Sequence, residues 1–331
     1  MPDKVRIGLI GSGGMANAHI KWLKEVPEAE IVALMDPSAE MLDKTYEKNP
    51  HVRGTRVYSD YGELLADAEV DAVQIHSPHT LHFEQATAAL NAGKHVLLEK
   101  PMVCRTRDAH ALIDTWKRSG KVLMISYQRH FMKEFRYARQ VIQSGGLGEI
   151  QYVAAFQAQQ WLRATRGTWR QTQELSGGGQ INDSGSHLID IILWVTGLRV
   201  AEVSARQEFF DVPVDINTAA GIRFTNGALG TLSIIGNAPK WYEDITFVGR
   251  EGAIYIRQGQ PLLHQNAAGE QVDTEDIGET TSPDRNWVDA ILGRAEVEVP
   301  PTCGLAVIEL TEAAWESAKR GGAPTPVTAD R

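Results

Sequence analysis

The chain has 331 residues, 43% of them hydrophobic and 23% charged, with a formal net charge of −9. That is globular composition, long enough for two domains of the usual ~150 residues, and its acidic balance argues against a nucleic-acid partner, which would want a basic face. Cys104 and Cys303 are far apart and form no Cys-x-x-Cys, so neither a disulfide framework nor a thiolate zinc site is expected; nor does any apolar run reach the ~18–20 residues that span a bilayer.

The start, Met1–Ile10, passes straight into a strand pattern and lacks the cationic head, apolar core and cleavage site of a signal peptide. A cytoplasmic protein with a small-molecule ligand is expected. Residues 1–126 alternate short apolar runs with helical spacing. The runs are Val5–Ile10, Ile31–Met35, a weaker Arg56–Tyr58, Ala72–His76, His95–Leu98 and Val122–Ser126. Between them lie helix patterns at Met15–Glu25, Ala39–Glu47, Tyr61–Leu65, Leu81–Asn91 and Thr106–Ser119. Repeated βα units of this length predict a parallel, doubly wound sheet.

After Tyr127 the rhythm changes. Phe131–Ser144 reads as helix, Ile150–Ala158 as strand and Asp183–Val195 as a helix ended by Gly197. Val200–Phe209, Thr218–Phe224, Ala228–Ile235, Ile245–Val248 and Gly252–Arg257 read as strands, and Asn226-Gly227 is a hairpin signal. A second domain over 127–331 is expected, largely an antiparallel sheet closed by a helix near Leu305–Lys319, with Gly321–Arg331 as a loose tail.

Gly11-Ser12-Gly13-Gly14-Met15-Ala16 lies between the first strand and the first helix and fits G-x-G-x-x-A, a form of the dinucleotide fingerprint. Gly11 permits the tight turn, Gly13 lets the backbone approach a pyrophosphate, and Ala16 lets helix and strand pack closely. The helix start, from Gly14 and Met15, offers free N–H groups to phosphate. Asp36, at the end of the second strand, would bond the ribose hydroxyls and repel a 2′-phosphate, which favours NAD over NADP.

Two further strand ends point the same way. His76-Ser77-Pro78-His79 follows the fourth strand, with His82 in the next helix; it is either a cofactor contact or a plain strand-to-helix turn. Glu99-Lys100-Pro101 follows the fifth. Open α/β sheets bind ligands beyond the carboxyl ends of their strands, so a lysine there is a functional candidate.

In the second half, Ser176-Gly177-Gly178-Gly179 leads to Asp183, His187, Asp190 and Trp194, spaced to share one helical face. A carboxylate beside an imidazole makes a general-base unit; the plainer alternative has Asp183 capping the helix and His187 buried and satisfied. A zinc site is disfavoured, since no H-E-x-x-H or cysteine cluster accompanies them. Trp161, Arg163, Arg166, Trp169 and Arg170 form an aromatic–basic segment suited to covering a sugar, or else a surface or subunit-contact loop. Tyr127, Arg129 and His130 are further pocket candidates.

Together these residues resemble the glucose–fructose oxidoreductase/inositol dehydrogenase family (Gfo/Idh/MocA). The resemblance runs from Gly11, Gly13 and Ala16 through Ser77-Pro78, His82, Ala92-Gly93-Lys94-His95-Val96 and Glu99-Lys100-Pro101 to Gly177-Gly178-Gly179, Asp183, Gly185, His187, Asp190 and Trp194. It implies an N-terminal Rossmann domain and a C-terminal α+β domain with a large open-faced, mostly antiparallel sheet, through which relatives often form dimers or tetramers. It implies NAD(P)-dependent chemistry at a hydroxyl-bearing carbon of a sugar or cyclic polyol, with Lys100, Asp183 and His187 matching the catalytic set. It also implies a Lys100-Pro101 bond that is often cis. Gly11, Ser12, Gly13, Gly14, Met15, Asp36, Ser77, Pro78, His79, His82, Glu99 and Lys100 are the expected cofactor residues. Lys100, Tyr127, Arg129, Trp161, Arg166, Trp169, Asp183 and His187 are the expected substrate residues. His79 departs from the asparagine of many members, and Tyr127–Phe131 matches only loosely. A glycosidase using NAD for transient oxidation and a non-catalytic NAD-binding regulator are the alternatives.

Overall fold

The apolar runs of the first half form six strands, in chain order with their helices: β1 (Val5–Ile10), α1 (Gly14–Leu23), β2 (Ala29–Met35), α2 (Ala39–Lys48), β3 (Arg56–Tyr58), α3 (Tyr61–Ala66), β4 (Ala72–Ile75), α4 (His82–Asn91), β5 (His95–Leu98), α5 (Thr106–Ser119) and β6 (Leu123–Ile125). The computed structural model describes residues 4–274 and 278–327. The strands pair in parallel in the order β3-β2-β1-β4-β5-β6. All four residues of β4 are buried, as befits a central strand covered on both faces. The order reverses between β1 and β4, and the glycine turn lies at that switch point.

The second half supplies α6 (Lys133–Gln143), β7 (Ile150–Gln160), α7 (Trp161–Ala164), α8 (Gln173–Ser176), α9 (Gly185–Thr196), β8 (Val200–Glu208), β9 (Asn217–Phe224), β10 (Leu229–Ile235), β11 (Asn237–Gly249), β12 (Gly252–Arg257) and β13 (Leu263–Asn266). After these come α10 (Pro283–Ile291), α11 (Pro301–Lys319) and β14 (Thr325–Pro326). The second sheet runs β13-β12-β11-β7-β10-β9-β8-β14, and only its β7–β10 pair is parallel. Helices α6 and α9 pack together, and α9 lies against β7. Leu188, Ile189, Ile191, Ile192 and Val195 of α9 are buried, each contributing roughly 1.5–3 kcal/mol of transfer free energy. The other face of the sheet is open: β9 alternates buried with exposed residues along its length.

Two units result. One holds Met1–Val103, Arg107–Gln128 and Thr281–Gly304; the other holds Cys104–Thr106, Arg129–Thr280 and Leu305–Arg331. The break lies close to the expected 126/127 boundary, but Thr281–Gly304 belongs with the first unit, where the sequence pattern puts it in the second. Helix α10 is the reason, since it packs on α1 and β5. Its start carries a local signal, with Ser282 accepting from the Arg285 amide and Pro283 in the first turn. The tail also differs from expectation: Thr325 and Pro326 pair with Val203 and Glu202, while 328–331 lie outside the described residues. Strand β11 starts at Asn237, well before the expected Ile245, because a register shift between Asn237 and Tyr242 absorbs its irregular start.

Candidate functional site

In the first unit the glycine turn is shaped by close approach. Gly11 has φ +89°, and a Cβ there would lie 3.0 Å from the His76 carbonyl carbon. At Gly13 and Gly14 a Cβ would meet nothing within 4 Å. Helix α1 starts there with no side-chain cap and no acid in its first turn. Open space before an uncapped helix N-terminus fits a pyrophosphate. Asp36 holds the turn closed: its Oδ2 accepts from the Ser12 amide and hydroxyl, both at 2.9 Å, and its Oδ1 accepts from the Ser38 amide at 2.9 Å. A carboxylate has about four acceptor sites, so Asp36 keeps capacity for a ribose hydroxyl.

The β4 and β5 ends are braced to each other. The fully buried His82 ring has Nδ1 2.8 Å from the Pro101 carbonyl oxygen and Nε2 3.0 Å from that of Ser77. Burial pushes its pKa down, so the neutral ring donates to one carbonyl at a time. That makes His82 a brace between two turns. The Ser77 hydroxyl donates to Gln85 at 2.5 Å. His79 is buried, Lys100 is half-buried, and the Lys100–Pro101 bond is cis. Glu99 is buried with both carboxylate oxygens engaged: Oε1 lies 2.9 Å from His19 Nε2, and Oε2 accepts from the Lys100 amide at 3.1 Å. Tyr127 is fully buried in this unit.

Beside Glu99 is a group that the sequence patterns do not single out. His19, on α1, is fully buried, with Nδ1 2.9 and 3.0 Å from the two oxygens of Asp284 on α10. Gln74 donates to the same carboxylate at 2.8 Å. Burial alone would push His19 down, but Asp284 and Glu99 outweigh it and hold its pKa up to about 10. Burial opposes the Glu99 charge too, yet His19 brings that carboxyl down to about 2. His19, His76 and Glu99 bring three ligand-type atoms within 4.8 Å of one another, but His19 and Glu99 are already bonded, which makes the cluster an ion pair first.

In the second unit the glycine run is fixed by Asp215. A Cβ on Gly179 would lie 1.9 Å from the Asp215 carbonyl oxygen, and one on Gly178 2.4 Å from the Trp315 ring. The buried Asp215 carboxylate accepts from the Gly179 amide at 3.0 Å, the Ile181 amide at 2.9 Å and Trp315 Nε1 at 3.0 Å. This clamp aims the turn that carries Asp183. Asp183 precedes α9 instead of opening it, because the segment before Gly185 is a turn in which the Gly185 amide donates to the Gln180 carbonyl. The shared helical face inferred from i, i+4 spacing is therefore not how Asp183 is placed.

Asp183 Oδ2 accepts from Trp161 Nε1 at 2.8 Å and from Arg170 Nε at 3.2 Å. His187 is half-buried in the first turn of α9. Of the aromatic–basic segment, Trp161 and Arg170 reach Asp183. Arg170 also stacks on Trp169, 4.4 Å from its ring centroid. Arg166 is exposed and pairs with Asp211. Asp190 does not continue the Asp183 face: its buried Oδ2 lies 2.8 Å from His130 Nε2, and the His130 ring lies 4.2 Å from that of Trp194. Arg129 is committed to Glu243 at 2.6 Å. With its amide oxygen and nitrogen assigned from the surrounding donors and acceptors, Gln157 links that pair to the turn, the oxygen 3.1 Å from Arg129 Nη2 and the nitrogen 3.3 Å from the Ser184 carbonyl oxygen.

Sequence reasoning misses His19, Asp284, Asp215, Gln157 and Glu243. His19, Gln157 and Asp215 are polar residues inside apolar or helical patterns, and that mismatch is their signal; Glu243 and Asp284 lie outside the expected elements.

A parallel sheet in this strand order, with an open glycine turn at its switch point and an acid just past β2, defines a dinucleotide-binding protein. Residues 5–127 match the model of the GFO/IDH/MocA oxidoreductase family, NAD-binding Rossmann fold, and residues 135–255 match the GFO/IDH/MocA C-terminal domain. The chain belongs to that family, and its first unit is an NAD-binding domain. A Comamonas testosteroni 1-carboxy-3-chloro-3,4-dihydroxycyclohexa-1,5-diene dehydrogenase is 28% identical over 71% of this chain; the chain spans only 58% of that relative's length. A Thermotoga maritima myo-inositol 2-dehydrogenase is 28% identical over 76% of this chain and 75% of the relative. A levoglucosan dehydrogenase solved with NADH and levoglucosan shares the fold, with a TM-score of 0.88 at 23% identity, covering 98% of this chain and 99% of that one. Among the described residues no helix is long and apolar enough to cross a membrane.

Proposed function

We propose that this chain is an NAD-dependent dehydrogenase that oxidises a secondary hydroxyl of a sugar, sugar derivative or cyclic polyol, working in the cytoplasm. The observation that carries this reading is Asp183. It is a buried carboxylate held on one oxygen by Trp161 and Arg170, four residues before a half-buried histidine, which suits hydroxyl chemistry better than packing. The relatives named for myo-inositol and levoglucosan support the substrate class, since both molecules present ring hydroxyls.

Bound NAD⁺ supplies the hydride acceptor. His187 takes the hydroxyl proton as hydride leaves the same carbon, and the hydroxyl oxygen becomes a carbonyl. Lys100 donates to that oxygen and stabilises the charge growing on it. Asp183 accepts from a neighbouring hydroxyl and fixes the ring. Gly11, Ser12, Gly13, Gly14 and Met15 hold the pyrophosphate, Asp36 a ribose hydroxyl, and Ser77, Pro78 and His79 flank the nicotinamide end. The half-buried Trp169 offers an aromatic face to the sugar, whereas Trp161, buried among Leu162, Val214 and Ile216, serves by holding Asp183.

The test is reduction of NAD⁺ and NADP⁺ against inositols, aldoses, anhydrosugars and glycosides. NADH formation with at least one free sugar or polyol is expected, with NADP⁺ at least ~10-fold poorer because Asp36 repels a 2′-phosphate. A preference for NADP⁺ would remove the role given to Asp36, and silence across the panel would favour a non-catalytic binder.

The open face of the second sheet exposes Phe156, Leu229 and Tyr242, beside an exposed Ala219 and Gly221 that leave it flat. A homodimer or homotetramer through this face is the reading, and light scattering that returned the mass of one chain would end it.

A further inference from the structure

We propose that His19 is a positioning residue that holds Glu99, and through it Lys100, in register with the dinucleotide turn. The inference rests on the role given to Lys100 above.

Both His19 ring nitrogens face carboxylates, Nε2 at 2.9 Å from Glu99 and Nδ1 at 2.9 Å from Asp284. A neutral imidazole has one N–H and satisfies one of them; the imidazolium satisfies both. The ring is fully buried, so no water takes the place of either bond. Glu99 in turn uses its other oxygen to accept from the Lys100 amide at 3.1 Å. A carboxylate fixed at both oxygens cannot swing, and the lysine side chain departs from a backbone that is held. His19 itself sits on α1, whose first turn is the open phosphate end. One ring thus joins the helix that would hold the cofactor to the strand end that presents the lysine.

The charges around the ring decide what its loss does. Asp284 and Glu99 face it with negative charge, the His76 ring lies 4.7 Å away, and Lys100 acts on Glu99 from outside. Removing the cation leaves two carboxylates buried without their shared partner, an arrangement that relaxes by moving Glu99. The pH dependence follows. A group whose pKa is raised from 6.5 to about 10 stabilises the fold fully below pH 6.5, and the effect is lost as pH rises through 10. Glu99, lowered from 4.5 to about 2, stabilises above pH 4.5 and loses its effect as pH falls through 2. The bridge is complete between these limits.

The test is a double-mutant cycle in the full-length chain on a polyol from the panel above, with melting temperature followed against pH. His19→Gln is expected to lower kcat about 10-fold or more, with KM and NADH affinity within about 3-fold. In a Lys100→Met background the same substitution is expected to cost nothing further, because the group it positions is gone. Glu99→Gln should behave in the same way and serves if His19→Gln folds poorly. The melting-temperature deficit of His19→Gln should be largest near pH 5–6 and close towards pH 10. Equal kcat losses with and without Lys100 would overturn the inference, leaving His19 as packing only, and so would a wild-type kcat in both variants. A melting deficit that stays flat from pH 5 to 10 would overturn the charged bridge itself. Full activity of Lys100→Met alone would instead overturn the role of the lysine.

Discussion

Replacing His187 with alanine is expected to lower kcat on an accepted polyol by about 10²–10⁴-fold, the usual contribution of a positioned acid–base group. Lys100→Met, which keeps length and removes the cation, is expected to lower it by about 10²–10³-fold, the cost of losing one donor to a developing oxyanion. In this reading both side chains act on the reacting hydroxyl and the glycine turn holds the pyrophosphate, so NADH affinity measured by fluorescence titration should stay within a few-fold. The pattern matters as much as the size. A group that acts only in the transition state lowers kcat and kcat/KM together, whereas one that only binds substrate raises KM. Near-normal turnover in either variant would remove that residue from the chemistry.

Asp215→Ala is expected to destabilise the chain by about 3 kcal/mol or more. The substitution strips the acceptor from two buried amides, those of Gly179 and Ile181, and from the half-buried indole of Trp315; each orphaned buried donor costs roughly 1–3 kcal/mol. Against a total stability on the order of 5–15 kcal/mol, this is a large fraction. It should also spoil catalysis, since the clamp sets the turn before Asp183. The urea midpoint and kcat should therefore fall together. A loss under about 1 kcal/mol would mean that water or a shifted turn replaces the carboxylate.

The parts of the fold that can be read in advance are those where local chemistry and tertiary need agree. Gly11 is in the left-handed region and a Cβ there would press on the His76 backbone, so glycine is required, and its motif is legible. Ser38 accepts from the Met41 amide, and that cap marks the start of α2. Lys100 stands out because a strand end is a ligand-facing position in such sheets.

What escapes is long-range polar pairing. His19 looks like one more residue of an amphipathic helix until α10, more than 260 residues later, brings Asp284 to it. Asp215, between Val214 and Ile216, gives no local hint that it will clamp a glycine run. Spacing also misleads. Asp183 and His187 read as one helical face, yet a turn carries the first and the helix only the second. Arg166 and Arg170 are equivalent by composition, and only the fold sends Arg170 to Asp183 and Arg166 to Asp211.

In the proposed reaction hydride moves from a substrate carbon to NAD⁺ and stays there. The direct measurement uses a polyol from the panel carrying deuterium on the oxidised carbon, incubated with the enzyme and NAD⁺ and followed by mass spectrometry of both products. One deuterium is expected in the reduced nicotinamide for each ketone formed, with net accumulation of labelled NADH. Cleavage of a glycoside with NAD remaining oxidised and the label retained or washed out of the sugar would contradict it.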